Sequence, residues 1–213
     1  TSSVATIIQP STGISASAIS TNINCFGVCD GTATTAPTGG TSPYTHSWSN
    51  GSHAASISGL CIGSYTDTIK DKNGCTVLYT TTLTQPAVLA VSLTKTNASC
   101  GGVCDGKATA TVSGGTSPYK YDWSTGSSTT TASTTNTILG LCAGTYTVTI
   151  TDKNSCVKTA TVTITEPAVL KATASGTNVT CNSKCDGSAT VVTTGGSGGN
   201  VYTWTPGTPT GYT

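Results

Sequence analysis

The sequence predicts an all-β fold divided into several small repeated domains. A segment of the form Cys-x-x-x-Cys-Asp-Gly occurs three times, beginning at Cys25, Cys100 and Cys181, so the repeating unit is about 75 to 81 residues long. Between the turns, apolar and polar residues alternate with the period of two that is typical of half-buried strands. No segment carries a helical period. Ten cysteines supply the covalent staples that domains of this size usually need.

The repeat predicts four segments along the chain. Residues 1–10 are expected to be the last strand of a preceding repeat, because residues 4–10 resemble residues 159–167 in character. Residues 11–86 and 87–167 are expected to be complete repeats. Residues 168–213 are expected to be the first part of a third, incomplete repeat.

The second repeat shows the expected strand pattern most clearly. Gly, Pro and Asn turns separate short alternating segments, and Tyr119, Tyr121 and Trp123 fall on one face of the third of them. The segments cover residues 89–95, 107–112, 119–123, 137–141, 146–150 and 160–164. Six or seven short strands with an aromatic central strand predict a β-sandwich of immunoglobulin or fibronectin type III character. Tandem copies with intradomain disulfides would form an elongated array.

The composition excludes several classes of protein. Charged residues make up 8% of the chain and the net charge is +1, which disfavours a nucleic-acid partner because phosphate binding needs clustered positive charge. No apolar run approaches 18 residues, so no membrane span is expected in this segment. The chain begins at Thr1 without a leader, as a processed or excerpted chain would. Regularly spaced cysteines in small β-domains indicate disulfides and an oxidising, extracellular setting.

The incomplete repeats at the two ends leave two interpretations open. The 213 residues are either a window of a longer polymer of repeats, or separate chains that join head to tail by strand donation. The first is favoured, because residues 1–10 offer one strand where at least two are missing. In either case Cys181 and Cys185 are expected to have partner cysteines outside the chain.

An ordered set of motifs runs through nearly the whole chain. It comprises Asp-Gly, Gly-Gly-x-x-Pro-Tyr, Trp-Ser, Gly-Leu-x-x-Gly-x-Tyr and Asp-x-Asn-x-Cys, and residues 96–126 and 138–167 carry it in full. This set resembles the SprB repeat, a family found in very long cell-surface adhesins of gliding bacteria of the Bacteroidetes group. The resemblance implies an exported, cell-attached, filament-like adhesin module.

The resemblance also implies a disulfide arrangement, although four cysteines in a repeat allow three pairings. Family members commonly carry an outer pair, which corresponds here to Cys25 with Cys75 and to Cys100 with Cys156. A second pair, expected as an addition in this chain, joins Cys29 to Cys61 and Cys104 to Cys142. Zinc is disfavoured, because the first cysteine spacing is x3, where zinc sites usually have x2.

The first repeat departs from the second at two inward positions. His46 stands where the second repeat has Tyr121, and Asp67 stands where it has Val148. If the two strands are neighbours, these residues form a buried His–Asp pair. The alternative is a local bend that exposes both side chains. No catalytic use is expected, because the sequence offers no nucleophile in line and no oxyanion pocket.

Several turn residues suggest binding or modification. The aspartates of the turns could gather around calcium, although turn-forming aspartates need no ion: Asp30, Asp105, Asp186, Asp71 and Asp152. Three triplets of the N-glycosylation type begin at Asn50, Asn97 and Asn178, and the segment around Thr68 resembles the O-glycosylation motif of this bacterial group. The competing explanation for the abundant threonine is its β-propensity.

These observations favour a structural and adhesive function over catalysis. The expected protein is a module of an extracellular surface filament or giant repeat adhesin, with neighbouring repeats or copies of itself as partners and surface polysaccharide as a candidate ligand. The alternative is a spacer or carbohydrate-binding array of a secreted multidomain protein. No enzyme activity and no cofactor are expected, because the chain has no paired-carboxylate site or phosphate loop.

Overall fold

The structure is a computed structural model that describes residues 12–181 and 183–205, and these residues contain strands but no helix. Within them, no helix is long and apolar enough to cross a membrane. The expected strand at residues 4–10 and the chain end at 206–213 lie outside the described residues.

The first six strands form repeat 1. One sheet has the order β1-β2-β4 and the other has the order β3-β5-β6, and all neighbours are antiparallel. The strands are β1 (Ser15–Thr21), β2 (Gly31–Thr38), β3 (Thr45–Trp48), β4 (Ser56–Leu60), β5 (Gly63–Lys70) and β6 (Thr76–Leu83).

The next seven strands form repeat 2 with the same plan. Its sheets have the orders β7-β8-β11 and β10-β9-β12-β13. The strands are β7 (Ala90–Thr96), β8 (Gly106–Ser113), β9 (Tyr119–Trp123), β10 (Ser128–Thr131), β11 (Thr135–Leu141), β12 (Gly144–Asp152) and β13 (Val157–Ile164).

The strand order identifies the fold. In each complete repeat the first two strands share a sheet with the strand that precedes the final hairpin, and that hairpin shares the other sheet with the aromatic strand. Immunoglobulin domains divide their strands between two sheets in this way. The expected tandem immunoglobulin/fibronectin-III-like β-sandwiches are therefore confirmed. The short edge strand β10 was not predicted, because its sequence, Ser-Thr-Thr-Thr, has no alternation.

Alternating side chains build the core of repeat 2. Tyr121, Val148 and Ile150 are fully buried between the sheets, and Trp123 is 4% exposed. The Trp123 indole donates a hydrogen bond to Asn136 Oδ1 at 2.8 Å, so its polar atom is satisfied inside the core. Repeat 1 has a smaller core around Trp48.

The glycine of the Cys-x-x-x-Cys-Asp-Gly segment is required by packing at the start of the second strand. A Cβ atom at Gly106 would lie 2.8 Å from Ile164 Cγ2 and 2.8 Å from the Leu141 carbonyl oxygen. A Cβ atom at Gly31 would lie 2.8 Å from Leu83 Cδ1. The last strand of each complete repeat therefore packs directly over this backbone, which no larger residue would allow.

The described part of repeat 3 contains two strands, β14 (Lys171–Thr177) and β15 (Ser188–Thr194), paired antiparallel. The chain then returns through Tyr202 and Trp204, which are 49% and 57% exposed. These aromatic residues correspond to the buried Tyr121 and Trp123 of repeat 2. The inner face of a sandwich is therefore present here, and it is open among the described residues.

Candidate functional site

Each repeat carries a loop between its first two strands that we call the cysteine loop: residues 22–30, 97–105 and 178–187. An aspartate carboxylate clamps each loop closed. Asn24 donates from its backbone and side-chain amides to Asp30 at 3.0 and 2.8 Å. Ser99 donates in the same way to Asp105, from its amide at 2.9 Å and its hydroxyl at 2.5 Å. These bonds explain the aspartate of the repeated segment.

The aspartate clamp of repeat 2 is electrostatically favourable. The Ser99 hydroxyl and then the Ser99 amide stabilise the charged form of Asp105, and they hold the pKa of this carboxyl below its ordinary value. In repeat 3 the Thr180 hydroxyl, and to a smaller extent the Thr180 amide, donate to Asp186 and lower its pKa in the same way. Both oxygens of each carboxylate are engaged by the loop itself.

The hairpin turn of each complete repeat, residues 71–75 and 152–156, is held by its first aspartate. Asp152 Oδ1 accepts the amides of Asn154 and Cys156 at 2.9 Å each, and its Oδ2 accepts the amide of Thr116 at 2.8 Å. Asp71 makes the equivalent bonds in repeat 1. The turn is thus fastened both to itself and to the loop that precedes the aromatic strand.

Desolvation acts to raise the pKa of Asp71, but backbone amides outweigh it. The amides of Thr41, Cys75 and Asn73 donate to the carboxylate and hold its pKa below the ordinary value. These aspartates therefore serve as backbone caps. The described residues contain no group of three or more metal-ligating side chains, and the suggested calcium site stays a hypothesis that no geometry supports.

The cysteine loop of repeat 1 meets the hairpin turn of repeat 2. Cys25 forms a disulfide with Cys156, with the two Cα atoms 5.8 Å apart. Beside this bond, Asn154 Nδ2 donates to the Asn24 carbonyl oxygen at 2.9 Å. A covalent bond and a hydrogen bond therefore join two successive repeats at one point.

The linker between repeats is fastened to the same loop. Gln85, two residues after β6, accepts the amide of Gly27 at 3.0 Å through its side-chain oxygen. Glu166, the single glutamate of the chain, accepts the amide of Gly102 at 2.9 Å in repeat 2. In both complete repeats the cysteine loop thus sits at the exit of the repeat, where the next repeat begins.

The outer disulfides expected from the family resemblance are wrong. The structure joins Cys25 to Cys156 across two repeats, and Cys75 and Cys100 are free and exposed. The reason is geometric: β6 runs from the hairpin turn to the cysteine-loop end of its sandwich. Its eight residues span about 26 Å, whereas a disulfide needs Cα atoms within about 7 Å.

The other cysteines follow the expected pattern. Cys29 bonds Cys61 and Cys104 bonds Cys142, each joining the cysteine loop to the segment after the strand that precedes the final hairpin. The Tyr146 hydroxyl donates to the Cys142 carbonyl oxygen at 3.0 Å and supports this end of the bridge. Cys181 and Cys185 are free and exposed among the described residues, so their partners stay a prediction.

The structure brings His46 and Asp67 together as a buried pair. His46 Nδ1 lies 2.7 Å from Asp67 Oδ2, and the two side chains are 10% and 0% exposed. Thr35, which sequence reasoning missed, donates its hydroxyl to Asp67 Oδ2 at 2.6 Å. The Ser47 amide donates to the other carboxylate oxygen at 3.0 Å. The sequence signal for Thr35 was available, since it stands where repeat 2 has the buried Ala110.

The arrangement around Asp67 does not resemble a catalytic triad. Thr35 and Asp67 both contact the same ring nitrogen of His46, at 3.2 and 2.7 Å. In a catalytic triad the acid and the nucleophile bond opposite ring nitrogens of the histidine. Thr35 is also only 3% exposed, so a substrate could not reach its hydroxyl. The cluster therefore acts as a satisfied polar core in place of an apolar one.

The candidate acceptors for sugars lie on the surface. Asn50, Asn97 and Asn178 are exposed, and Thr68 is half-buried on β5. Asn50 and Asn97 use their side-chain oxygens to accept the amides of Ser52 and Thr165. Glycosylation at these residues stays a prediction.

Comparisons with known proteins agree with the repeat structure. A family model described as SprB repeat matches residues 17–53, 92–128 and 173–209, which together make up just over half of the chain. No curated protein matches the chain.

Two solved structures show a distant likeness. One, from work on the structural basis for Dscam isoform specificity, is 12% identical with a TM-score of 0.34 and covers 74% of this chain. The chain spans 46% of the length of that structure. The amphioxus IgVJ-C2 molecule is 16% identical with a TM-score of 0.31, covering 68% of this chain and 96% of its own. The fold assignment therefore rests on strand order.

We expect Asp67→Val to destabilise repeat 1 by about 3 kcal/mol, because His46 and Thr35 would lose their buried partner. The triple variant Thr35→Ala, His46→Tyr, Asp67→Val copies the apolar set of repeat 2 and should recover most of this loss. Urea unfolding followed by hydrogen exchange of β3 and β5 amides measures both. Equal destabilisation by the single and triple variants would contradict a role as a mutually satisfied cluster.

We expect Asp105→Asn to loosen the cysteine loop of repeat 2 at neutral pH but not in acid. The pKa of Asp105 is lowered by folding, so its contribution is present above the unfolded pKa and is lost as the pH falls through the folded value. The protection factor of the Ser99 amide should be lower in the variant at pH 7, and the difference from the parent protein should disappear as the pH falls through the lowered pKa of Asp105. Asp122→Asn, remote from the loop, is the control and should leave Ser99 unchanged. A difference that persists in acid would argue against the charged clamp.

Proposed function

Because the chain belongs to the SprB repeat family, we propose that it is a load-bearing and adhesive module of an extracellular bacterial surface filament or giant repeat adhesin. The family match, the tandem sandwiches and the disulfides all fit an exported surface protein. Neighbouring repeats, or further copies of the chain, would be its partners within the fibre.

The observation that carries this proposal is the Cys25–Cys156 disulfide between repeats. Its sequence separation is 131 residues. Tension applied to the two ends of the chain passes through the bond and bypasses that whole segment, which contains most of repeats 1 and 2. The other two bridges lie inside the bypassed segment. Such a module resists extension even when its sandwiches unfold, as a surface fibre under shear requires.

An adhesive role needs a surface that meets a ligand. The exposed faces are rich in threonine and serine, which suit hydrogen bonding to surface polysaccharide or modification with sugars at Asn50, Asn97, Asn178 and Thr68. Few charges interrupt these faces. We propose that the repeats present a polar, sugar-compatible surface along the fibre.

The alternative, a carbohydrate-binding array of a secreted protein, finds one supporting observation. Tyr202 and Trp204 line an open apolar cleft on repeat 3, and exposed aromatic side chains are suited to stacking on sugar rings. Their counterparts Tyr121 and Trp123 are core residues in repeat 2. The equivalence favours an unfinished core over a sugar platform, so the load-bearing module remains our proposal.

Single-molecule stretching of the chain, tethered at both ends, tests the load-bearing role. The variant Cys25→Ser, Cys156→Ser should extend about 200 Å further than the parent protein at full unfolding. This gain is the 131-residue separation less the 32-residue and 38-residue separations inside it, at about 3.3–3.6 Å per residue. Cys75→Ser, which removes a free thiol, is the control and should extend as the parent does. Equal extension of parent and double variant would overturn the proposal.

A further inference from the structure

We propose that Cys100 and the cleft beside it form an acceptor site for the cysteine-bearing hairpin turn of the completed third repeat, so that the inter-repeat disulfide recurs along the chain. The occupant is a β-hairpin with the chemistry of β12–β13, joined by an Asp-x-Asn-x-Cys turn and contributed in cis by repeat 3. A recurring inter-repeat disulfide would continue the proposed fibre. The inference rests on the proposed function for its biological role, but not for the bond itself.

The two junctions of the chain are built alike. At the first, Cys25 lies beside Val88 and Leu89 at the start of repeat 2, and residues 155–158 of the hairpin line the other side of the same cleft. At the second, Cys100 and Gly101 lie beside Val169 and Leu170 at the start of repeat 3. These pairs of residues are equivalent in the repeat.

Both junctions contain a cleft, of about 460 Å³ at the first and about 410 Å³ at the second. Residues 155–158 of the hairpin line the first cleft, whereas among the described residues no hairpin turn lines the second. The second cleft brings together Cys100, Val169, Leu170, Gly196, Ser197 and Asn200. Cys100 is exposed and free. A thiol that is bonded at one junction is therefore accessible at the equivalent point of the next.

Repeat 3 already contains the backbone segment that would hold the turn, which we call the cradle: Gly196 and Ser197, equivalent to Gly115 and Thr116 in repeat 2. In repeat 2, the Gly115 amide donates to the Ala87 carbonyl oxygen at 2.9 Å, and the adjacent Thr116 amide holds Asp152 of the hairpin turn. In repeat 3, the equivalent Gly196 amide donates to Ala168 at 2.7 Å. Ser197 follows Gly196 as Thr116 follows Gly115, so its amide is the counterpart of the amide that holds Asp152 in repeat 2.

The glycines of the cradle leave room for that aspartate. A Cβ atom at Gly115 would lie 2.9 Å from Asp152 Oδ2, so repeat 2 needs glycine there for the close approach of the carboxylate. Gly196 keeps the same left-handed conformation, with φ of 71° against 63° at Gly115. The three atoms nearest to a Cβ built there belong to Leu170 and Asn200, at 3.2 Å or more.

The apolar face of repeat 3 matches the strands that would carry the turn. Ala172, Ala174 and Val191 line an open cleft with Tyr202 and Trp204. In repeat 2 the equivalent face is covered by the sheet that contains β12 and β13. One hairpin therefore accounts for both the apolar face and the cleft at Cys100.

Bond formation follows ordinary thiol–disulfide exchange. The Cys100 thiolate attacks one sulfur of a disulfide oxidant such as oxidised glutathione and releases one glutathione thiolate. The turn cysteine, as its thiolate, then attacks the Cys100 sulfur of the mixed disulfide and releases the second. Two protein thiols are oxidised, and one oxidised glutathione is reduced to two molecules of glutathione.

An extended chain tests the proposal directly. Residues 1–204 are followed by a copy of residues 124–167, which supplies the remaining strands of repeat 3, and the protein is oxidised with the glutathione couple. The copy carries Leu139→Val and Val157→Ile, two changes at exposed positions, so that its cysteine peptides differ in mass from the native ones. Disulfides are assigned by mass spectrometry of unreduced peptides.

We expect the copied Cys156 to bond Cys100 at least about tenfold more often than any other cysteine, because docking raises the effective thiol concentration. The copied Cys142 should bond Cys185, which reports that repeat 3 has folded. The matched control, Cys156→Ser in the copy, should leave Cys100 open to alkylation.

Two results would overturn the proposal. One is a bond from the copied Cys156 to Cys181 within its own repeat, or a free Cys100 in a chain where Cys185 has bonded normally. The other is the absence of both new bonds, which would show that repeat 3 does not accept the hairpin. Neither result affects the extension measured across Cys25–Cys156, so failure here is distinguishable from failure of the proposed function.

Discussion

The covalent bond between Cys25 and Cys156 is the constraint on which the junction depends. It joins the exit end of one sandwich to the hairpin turn of the next, and the bonds from Asn154 and Gln85 fix the loop and the linker around it. Sandwiches of this size bury little apolar surface. Their stability and their mutual arrangement therefore depend on bridges and on backbone-capping aspartates more than on a large core.

The two complete repeats use the same frame with different cores. Repeat 2 packs Ala110, Tyr121 and Val148, whereas repeat 1 places Thr35, His46 and Asp67 at the same positions. The polar set is fully bonded, and no buried side-chain polar atom among the described residues lacks a partner. The sandwich accepts either the apolar or the polar set because all three positions change together, so that no buried polar group is left without a partner.

The sequence was sufficient for the fold and insufficient for the junction. Alternation and turn residues predicted most strands, because both reflect local chemistry within one repeat. The buried pair of His46 and Asp67 was also accessible, since comparing the repeats exposes both departures. The outer disulfides were mistaken because a repeat pattern does not show which end of a sandwich a loop occupies. Cys25 and Cys75 recur together in sequence, yet the strand order places them at opposite ends.

The most direct test of this account is a disulfide map of the unreduced 213-residue protein by peptide mass spectrometry. We expect a cross-linked pair of peptides carrying Cys25 and Cys156, together with the pairs Cys29–Cys61 and Cys104–Cys142. Peptides joining Cys25 to Cys75 and Cys100 to Cys156 would contradict it, because each repeat would then be closed on itself and no covalent bond between sandwiches would remain.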